Sequence, residues 1–386
     1  PVMGSNLVLS IDAKLQELAE KALGARMGSA LVLKPATGEV LAMVSYPWYN
    51  PNLFSGSNAG NEYAKLLADP NNPLINRAVQ SSYPPASTFK TVLTAGIIEE
   101  NAFPVDKKVV CLGDVSYGDR VFRCWTKRPG HGWLDLKGAL AQSCDIYFWT
   151  VGRDYLGIER IVSYAKEFGY GKKTGIDIPG ENDEGFVPTP QWKERRFHEK
   201  WLGGDTMNLS IGQGFMLVTP LQMADMMAMI VNDGIIYKPH VLKEMRDPAT
   251  GAIEREIEPE VLARSRISKQ TFATVRDNLR GVITDGTARF PVNTKVVAVA
   301  GKTGTAEVGL KDRWHSWFVA FGPYGAANVQ DVIVVVVMVE ATNPWEWWAP
   351  YAANIIFQGR FAGQSYDEAV DTLGLRYLIP RQDRVE

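Results

Sequence analysis

A serine and a lysine one helical turn apart are the residues with the clearest potential for covalent chemistry. The segment Tyr83–Lys90, YPPASTFK, places Ser87 three residues before Lys90, and residues at this spacing lie on one face of a helix. A serine hydroxyl becomes a good nucleophile only when a base takes its proton, and a neutral lysine can be that base. The spacing therefore predicts Ser87 as a nucleophile and Lys90 as its base.

Two further polar motifs follow later in the chain. One is Ser143–Asp145, with a cysteine between its ends, and the other is Lys302–Thr305, which reads KTGT. With Ser87, they fall on three separate predicted elements: a helix start, the beginning of a helix or its loop, and a strand end. We expect these elements to supply three walls of one cleft.

Each motif also has a second copy, so spacing alone does not identify the site. Ser163–Lys166 repeats S-x-x-K, Lys173–Gly175 repeats K-T-G, and Ser10–Asp12 repeats S-x-D. The second S-x-x-K ends shortly before the second K-T-G, with no S-x-D or S-x-N between them. That set cannot surround a substrate, whereas the first ordered set can.

The hydrophobic periodicity predicts strands near both chain ends and helices in the middle. The predicted strands cover residues 6–11, 30–33, 40–44, 295–300, 317–321 and 332–339, and the predicted helices cover 13–23, 88–100, 136–155, 158–168, 220–232 and 268–284. We expect an α/β fold whose antiparallel sheet comes from both chain ends and is flanked by helices. A mainly helical subdomain, roughly 88–290, is inserted between the sheet segments, with the cleft between sheet and insertion.

Composition excludes several classes of function. Of 386 residues, 46% are hydrophobic, and 41 basic and 43 acidic residues give a net charge of −2. We expect one globular domain over residues 6–386, behind a linker or artificial joint over 1–5, and no nucleic acid as partner. The longest aliphatic run, Val332–Val339, is far shorter than the roughly 20 residues that span a bilayer.

The three cysteines leave two interpretations open. Cys111 and Cys124 flank the segment Gly113–Arg123, where a disulfide would fit an oxidising compartment. The alternative is a pair of reduced, buried cysteines, and in either case Cys144 remains unpaired. No metal-ligand spacing stands out among the four histidines and three cysteines, so we expect no metal and no cofactor.

The ordered motifs S-x-x-K, S-x-D and K-T-G-T are similar to the signature of penicillin-binding proteins and serine β-lactamases. Neighbouring segments extend the resemblance to the elongation-type class B penicillin-binding proteins, the penicillin-binding protein 2 group, from about Asn6 to Pro323. These segments are Asn6–Asp12, Tyr83–Lys90, Phe122–Trp125, Gln142–Asp145, Ile211–Gly214, Thr219–Gln222 and His315–Phe318. The chain departs at Ala86, where the family commonly has glycine. Asp145 favours the elongation type, because the division type usually has asparagine there.

The resemblance implies a peptidoglycan D,D-transpeptidase that β-lactams acylate and inhibit. Ser87 would attack a D-Ala-D-Ala stem peptide, and the backbone N–H groups of Ser87 and Thr305 would form the oxyanion hole. Ser143 would relay a proton to the leaving amine, and Asp145 would orient the lysines or the substrate amide.

The KTGT motif would bind the substrate. Lys302 would be a fixed cation near Lys90 and the substrate's terminal carboxylate, which Thr303, Gly304 and Thr305 would also bind. His315 follows on the next strand, and a structural role for it is as plausible as one near the cleft.

The resemblance also implies a setting and partners. The domain would lie in the periplasm, on the outer face of the bacterial cytoplasmic membrane, with its anchor outside this chain. Its partners would be a polytopic peptidoglycan glycosyltransferase and scaffold proteins of the rod complex. A serine β-lactamase, a D,D-carboxypeptidase, a β-lactam sensor domain and a non-catalytic scaffold remain alternatives.

Overall fold

The computed structural model describes residues 4–181, 184–309, 311, 313–341 and 347–379. Residues 1–3 of the predicted linker and residues 380–386 at the end of the predicted domain lie outside these residues. The strands are β1 (Asn6–Leu9), β2 (Gly28–Leu33), β3 (Val40–Tyr46), β4 (Val109–Cys111), β5 (Asp114–Tyr117), β6 (Arg120–Arg123), β7 (Gly132–Leu134), β8 (Ile235–Tyr237), β9 (Leu242–Arg246), β10 (Ile253–Glu256), β11 (Val261–Arg264), β12 (Ala300–Glu307), β13 (Trp314–Gly322) and β14 (Ile333–Val339). The α-helices are α1 (Ala13–Leu23), α2 (Ala59–Ala68), α3 (Lys90–Glu99), α4 (Leu136–Ala141), α5 (Asp145–Val151), α6 (Ile158–Glu167), α7 (Pro190–Phe197), α8 (Gly203–Ser210), α9 (Pro220–Val231), α10 (Lys269–Thr284), α11 (Ala349–Ala362) and α12 (Tyr366–Thr372).

The central sheet joins the two ends of the chain, as the sequence predicts. Its five strands run in the order β12-β13-β14-β2-β3, and each neighbouring pair is antiparallel. β2 and β14 are buried along their whole length, which explains their near-continuous aliphatic sequences. The helices α1 and α11 pack together against the sheet, and α9 packs against β2, β13 and β14. The antiparallel α/β prediction is confirmed.

The helical part of the molecule is built around α3. Every residue from Lys90 to Ile97 is buried, and α3 contacts α4, α5, α6 and α10. A helix that is enclosed on all sides belongs to a core rather than to a surface. It begins directly after a 3-10 turn over Ala86–Phe89, so Ser87 precedes a rigid, buried helix.

The structure corrects two of the predicted elements. The single helix predicted over 136–155 is broken, because α4 ends at Ala141, Ser143 takes a left-handed φ of 53°, and α5 begins at Asp145. A π-helical turn continues it over Gly152–Leu156. A left-handed residue cannot continue an α-helix, so the break turns the backbone at Ser143, which is buried there.

The predicted strand over residues 295–300 is also misplaced. Pairing with β13 begins at Ala300 and continues to Glu307, so the KTGT motif lies inside a strand rather than at its end. Upstream, the carbonyl of Val299 accepts a hydrogen bond from the Arg280 side chain. The residues just before β12 form a bend over 295–297 rather than a strand. None of the helices in the described part of the chain combines the length and apolar character needed to cross a membrane.

Candidate active site

The turn that carries Ser87 is held by hydrogen bonds to two other segments of the chain. The Trp317 indole N–H donates to the Pro84 carbonyl at 3.0 Å, and the Ala86 N–H donates to the Gly212 carbonyl at 2.9 Å. Ala86 has a left-handed φ of 50°, which an alanine adopts only at an energetic cost. A Cβ at Gly212 would collide with the Ala86 backbone. Gly212 therefore lets the nucleophile turn approach the helical part closely.

Lys90 contacts both ends of the Ser143–Asp145 motif. Its side chain is fully buried, and Nζ lies 2.6 Å from Asp145 Oδ1, 2.9 Å from the Ser143 carbonyl and 3.3 Å from Ser143 Oγ. These three oxygen acceptors hold the Lys90 amine in one position. The structure thus brings Lys90, Ser143 and Asp145 together, as the order of the motifs predicts. In the described part of the chain, the Ser87 hydroxyl makes no hydrogen bond, with Lys90 or with any other group.

The helix break supplies Asp145 at the first position of α5. Its Oδ2 accepts a hydrogen bond of 3.1 Å from the Trp125 backbone N–H, while Oδ1 faces Lys90. Burial raises the pKa of Asp145, and the positive charge of Lys90 opposes that shift. A buried carboxylate with partners on both oxygens is held in one orientation.

The opposite wall of the cleft is β12, an edge strand of the central sheet. Gly304 faces the nucleophile turn, where an added Cβ would lie 3.0 Å from Thr88 Cγ2 and 3.2 Å from the Pro85 carbonyl. Thr305 is exposed. An edge strand keeps part of its backbone N–H and C=O groups free of sheet partners, so β12 can bind an extended peptide beside Ser87.

Lys302 and Thr303 both have hydrogen-bond partners within the protein. Lys302 is fully buried, and its Nζ donates to the Thr303 carbonyl at 3.0 Å. Burial lowers its pKa well below the usual value, the charge of Lys90 acts in the same direction, and Asp145 opposes both. Burial therefore works against a fixed cation at Lys302. The Thr303 hydroxyl is already hydrogen-bonded to Thr287 Oγ1 at 2.7 Å.

The second copies of the motifs lie elsewhere and have structural partners. Ser163 and Lys166 are both exposed on α6. Thr174 hydrogen-bonds the Glu181 carboxylate, and Asp12 caps α1. Ordering the motifs therefore selected the set that the fold places around one cleft.

His315 makes contacts of the kind expected for a structural role, one of the two roles that the sequence left open. Its Nδ1 accepts the Ala341 N–H at 3.0 Å, and the Tyr83 ring packs edge-on against it with centroids 5.3 Å apart. Burial lowers the pKa of His315, and the nearby Glu340 acts in the opposite direction. These contacts tie the strand that follows KTGT to the segment that leads to Ser87.

A cysteine and histidine cluster adjoins the catalytic groups, and the sequence analysis missed it. Cys111, Cys124, Cys144 and His131 bring their ligand atoms to within 4.8 Å of one another. The three cysteines are buried free thiols. Cys111 and Cys124 are therefore the reduced, buried pair of the second interpretation. Cys144 lies in the same cluster as these two cysteines. No local spacing reveals the cluster, because Cys144 reaches it only through the break before α5.

The cluster's donors suit zinc, contrary to the expectation that no metal-ligand set is present. Three thiolates and one imidazole form a Cys₃His set, and tetrahedral zinc with bonds of about 2.3 Å to sulfur separates its sulfurs by roughly 3.8 Å. His131 Nδ1 lies 3.4 Å from Cys111 Sγ and 3.8 Å from Cys124 Sγ. Four protein ligands would fill the coordination sphere. Such an ion would therefore hold together the segments that carry these side chains rather than activate water.

Comparisons with known proteins agree with this geometry. Residues 28–358 match the family described as penicillin binding protein transpeptidase domain. The peptidoglycan D,D-transpeptidase MrdA of Escherichia coli is 35% identical over 356 residues, which cover 87% of this chain and 55% of that protein. The chain thus spans about half the length of this relative.

Two solved structures share the fold. Pseudomonas aeruginosa PBP2, in complex with WCK 5153, has a TM-score of 0.78 and 32% identity, covering 100% of this chain and 78% of that one. Helicobacter pylori PBP2, in its complex with MreC, has a TM-score of 0.81 and 31% identity, covering 92% and 64%. Since the family match covers most of the chain and includes Ser87, Ser143 and Lys302, the chain belongs to the penicillin-binding protein transpeptidase family.

Proposed function

We propose that this chain is a peptidoglycan D,D-transpeptidase domain that cross-links stem peptides through an ester at Ser87, and that β-lactams acylate the same serine. The observation that carries the proposal is the buried Lys90 Nζ, one helical turn after Ser87, with bonds to Ser143 and Asp145. This arrangement suits proton transfer at a serine, because it fixes a buried lysine amine one helical turn after Ser87 and in contact with a second hydroxyl, that of Ser143.

In the first step, Ser87 Oγ bonds to the carbonyl carbon of the penultimate D-alanine. Its proton passes to Lys90 Nζ, the C–N bond to the terminal D-alanine breaks, and the leaving amine takes a proton relayed by Ser143. Asp145 stabilises the ammonium that Lys90 becomes, since its carboxylate lies 2.6 Å from Nζ. In this scheme the aspartate acts after the transfer, as the partner of the charged base.

In the second step, an amine of a neighbouring stem peptide attacks the ester carbon. A new amide forms, the ester C–O bond breaks, and Ser87 regains a proton. Throughout, the N–H groups of Ser87 and Thr305 are proposed to bind the developing oxyanion, where losing one donor typically costs about 10²–10³ in rate. The close approach of Gly304 to the nucleophile turn supports this role for β12.

The test is intact-mass measurement after brief exposure to benzylpenicillin. We expect one added penicillin mass that persists for many minutes, because the natural second nucleophile is a peptide amine rather than water. Adduct that disappears within seconds would indicate a β-lactamase, and no adduct at all would indicate a non-catalytic scaffold. Release of D-alanine from a stem peptide, with transfer to an added acceptor amine, then distinguishes a transpeptidase from a carboxypeptidase or a sensor.

The setting and partners are part of the same proposal. The PBP2 of Helicobacter pylori has been solved with MreC, and we propose that this chain's parent protein likewise works with a rod-complex scaffold and a polytopic peptidoglycan glycosyltransferase. Its stem-peptide substrate places the domain on the outer face of the cytoplasmic membrane. Co-purification of the full-length protein with each partner is the corresponding test.

A further inference from the structure

Trp125 combines two properties that are rarely found in one surface side chain. It is 61% exposed, yet both of its N–H groups are hydrogen-bonded to residues 142–145, which here are called the catalytic segment. Its indole Nε1 lies 3.1 Å from the Gln142 carbonyl and 3.2 Å from the Ser143 carbonyl. Its backbone N–H donates to Asp145 Oδ2. The ring is therefore fixed at the rim of the cleft, with much of its area open to solvent.

Trp125 and Lys90 hold the same two acceptors from opposite sides. The Ser143 carbonyl accepts from Lys90 Nζ and from the Trp125 indole, and the Asp145 carboxylate divides its two oxygens between Lys90 Nζ and the Trp125 backbone. Ser143 lies at a helix break with a left-handed φ, where regular helical hydrogen bonds do not hold the backbone. The indole N–H is thus an external support for this break.

The exposed ring of Trp125 is pre-organised for binding. It packs edge-on against His131 with centroids 5.2 Å apart, and the preceding residue, Cys124, is anchored by its N–H to the Gly113 carbonyl at 2.9 Å. A large apolar face that is already immobile loses little conformational entropy when it binds a partner. Exposed aromatic surface beside a reactive group is a common mark of a ligand site.

We propose that Trp125 is a positioning and specificity-determining residue: its N–H groups hold the Ser143–Asp145 segment, and its ring binds the apolar part of the stem peptide that precedes the D-alanine pair. The proposal rests on the proposed function and names a further contact of the same site. In a penicillin, the acyl side chain takes the place of that part of the peptide.

The test separates the two roles with two variants and two β-lactams. Trp125→Phe keeps an apolar ring but loses the indole N–H, and Trp125→Ala loses both. Benzylpenicillin carries an aromatic acyl side chain, and 6-aminopenicillanic acid has none. Stopped-flow acylation yields the non-covalent dissociation constant and the first-order acylation rate constant separately.

We expect Trp125→Phe to lower the acylation rate constant about fivefold for both compounds, as for one lost hydrogen bond, with the dissociation constant nearly unchanged. Trp125→Ala is expected to lower the rate constant similarly and to weaken benzylpenicillin binding about tenfold, as for one lost aromatic contact, while 6-aminopenicillanic acid binding stays constant. A merely structural role would change both compounds alike.

Trp133→Ala is the matched control. Trp133 is 66% exposed on the neighbouring strand β7 and pairs with Val110 rather than with the catalytic segment. We expect it to match the parent in both constants. If the parent protein is acylated and Trp125→Ala keeps both constants of the parent, the Trp125 proposal is wrong. If the parent protein is not acylated at all, the proposed function itself fails.

Discussion

At the scale of single residues, two unusual backbone conformations shape the site. Ala86 and Ser143 both have left-handed φ values, 50° and 53°, and they flank Lys90 from the nucleophile turn and from the helix break. Such conformations persist only where surrounding contacts enforce them. We therefore expect alanine at position 86 to carry a conformational cost that glycine would not.

Replacing Ala86 by glycine is expected to raise the free energy of unfolding by about 1 kcal/mol or less. Glycine removes the left-handed penalty but adds conformational entropy to the unfolded chain. Urea unfolding measures the change. The matched control is Ala165→Gly in the middle of α6, where a regular helix should lose stability. Equal destabilisation by the two substitutions would contradict the strain at Ala86.

The burial of Lys302 predicts a pH dependence of stability. Its folded-state pKa lies below the unfolded value, so between these two values the unfolded chain binds a proton that the folded chain lacks. The free energy of unfolding therefore rises with pH in that window, up to about pH 10.4, and this contribution is flat above it. Lys90 and Asp145 are the charged groups that act on Lys302.

Lys302→Met should remove this slope, because methionine fills a similar volume without a charge. The measurement is urea unfolding of the parent and the variant between pH 7 and pH 10, taken as a difference so that other groups cancel. Identical slopes in the two proteins would mean that Lys302 keeps its proton in the folded state.

At the scale of elements, the break between α4 and α5 positions several of the side chains of the site. It sets Ser143 and Asp145 against Lys90, and it brings Cys144 into the cysteine and histidine cluster. The sequence pattern predicted a continuous helix there, because apolar periodicity persists across the break and a left-handed serine has no sequence signal. Because the break was not predicted, the cluster was not predicted either. Its members come from β4, the segment after β6, and the residue before α5.

The cluster predicts that the purified protein contains about one zinc ion per chain, measured by mass spectrometry of the metal content. His131→Ala should lose the metal, and a strong chelator should lower the melting temperature of the parent, since metal binding to the folded state contributes to stability. His198→Ala, at the left-handed end of α7 and outside the cluster, is the control that should keep it. Background metal content in the parent protein would contradict the prediction.

At the scale of the whole molecule, the sequence predicted the architecture well. Strands at both chain ends meet in one sheet because their aliphatic runs, such as Val334–Val337 and Ala30–Leu33, can only be buried against each other. The order of the motifs predicted the site because S-x-x-K, S-x-D and K-T-G-T lie on separate elements. These elements must come together if all three motifs contact one substrate. Strand boundaries were less accurate: Val297 and Val299 are buried although no partner strand in the described part of the chain pairs with them, so their apolar character does not mark a strand.

The fold also gives a reason to expect no catalysis at the second S-x-x-K. Ser163 and Lys166 lie on the exposed surface of α6, whereas Lys90 is fully buried and donates hydrogen bonds to Ser143 and Asp145. Identical spacing therefore places the two lysines in opposite environments, and of these two Lys90 is the one that contacts a second serine and a carboxylate.

The most direct measurement is labelling with a fluorescent penicillin, comparing the parent with Ser87→Ala, Lys90→Ala and Ser163→Ala. We expect the parent and Ser163→Ala to be labelled equally, Ser87→Ala to be unlabelled, and Lys90→Ala to be labelled far more slowly. Labelling that persists in Ser87→Ala, or that is lost in Ser163→Ala, would contradict the assignment of the nucleophile.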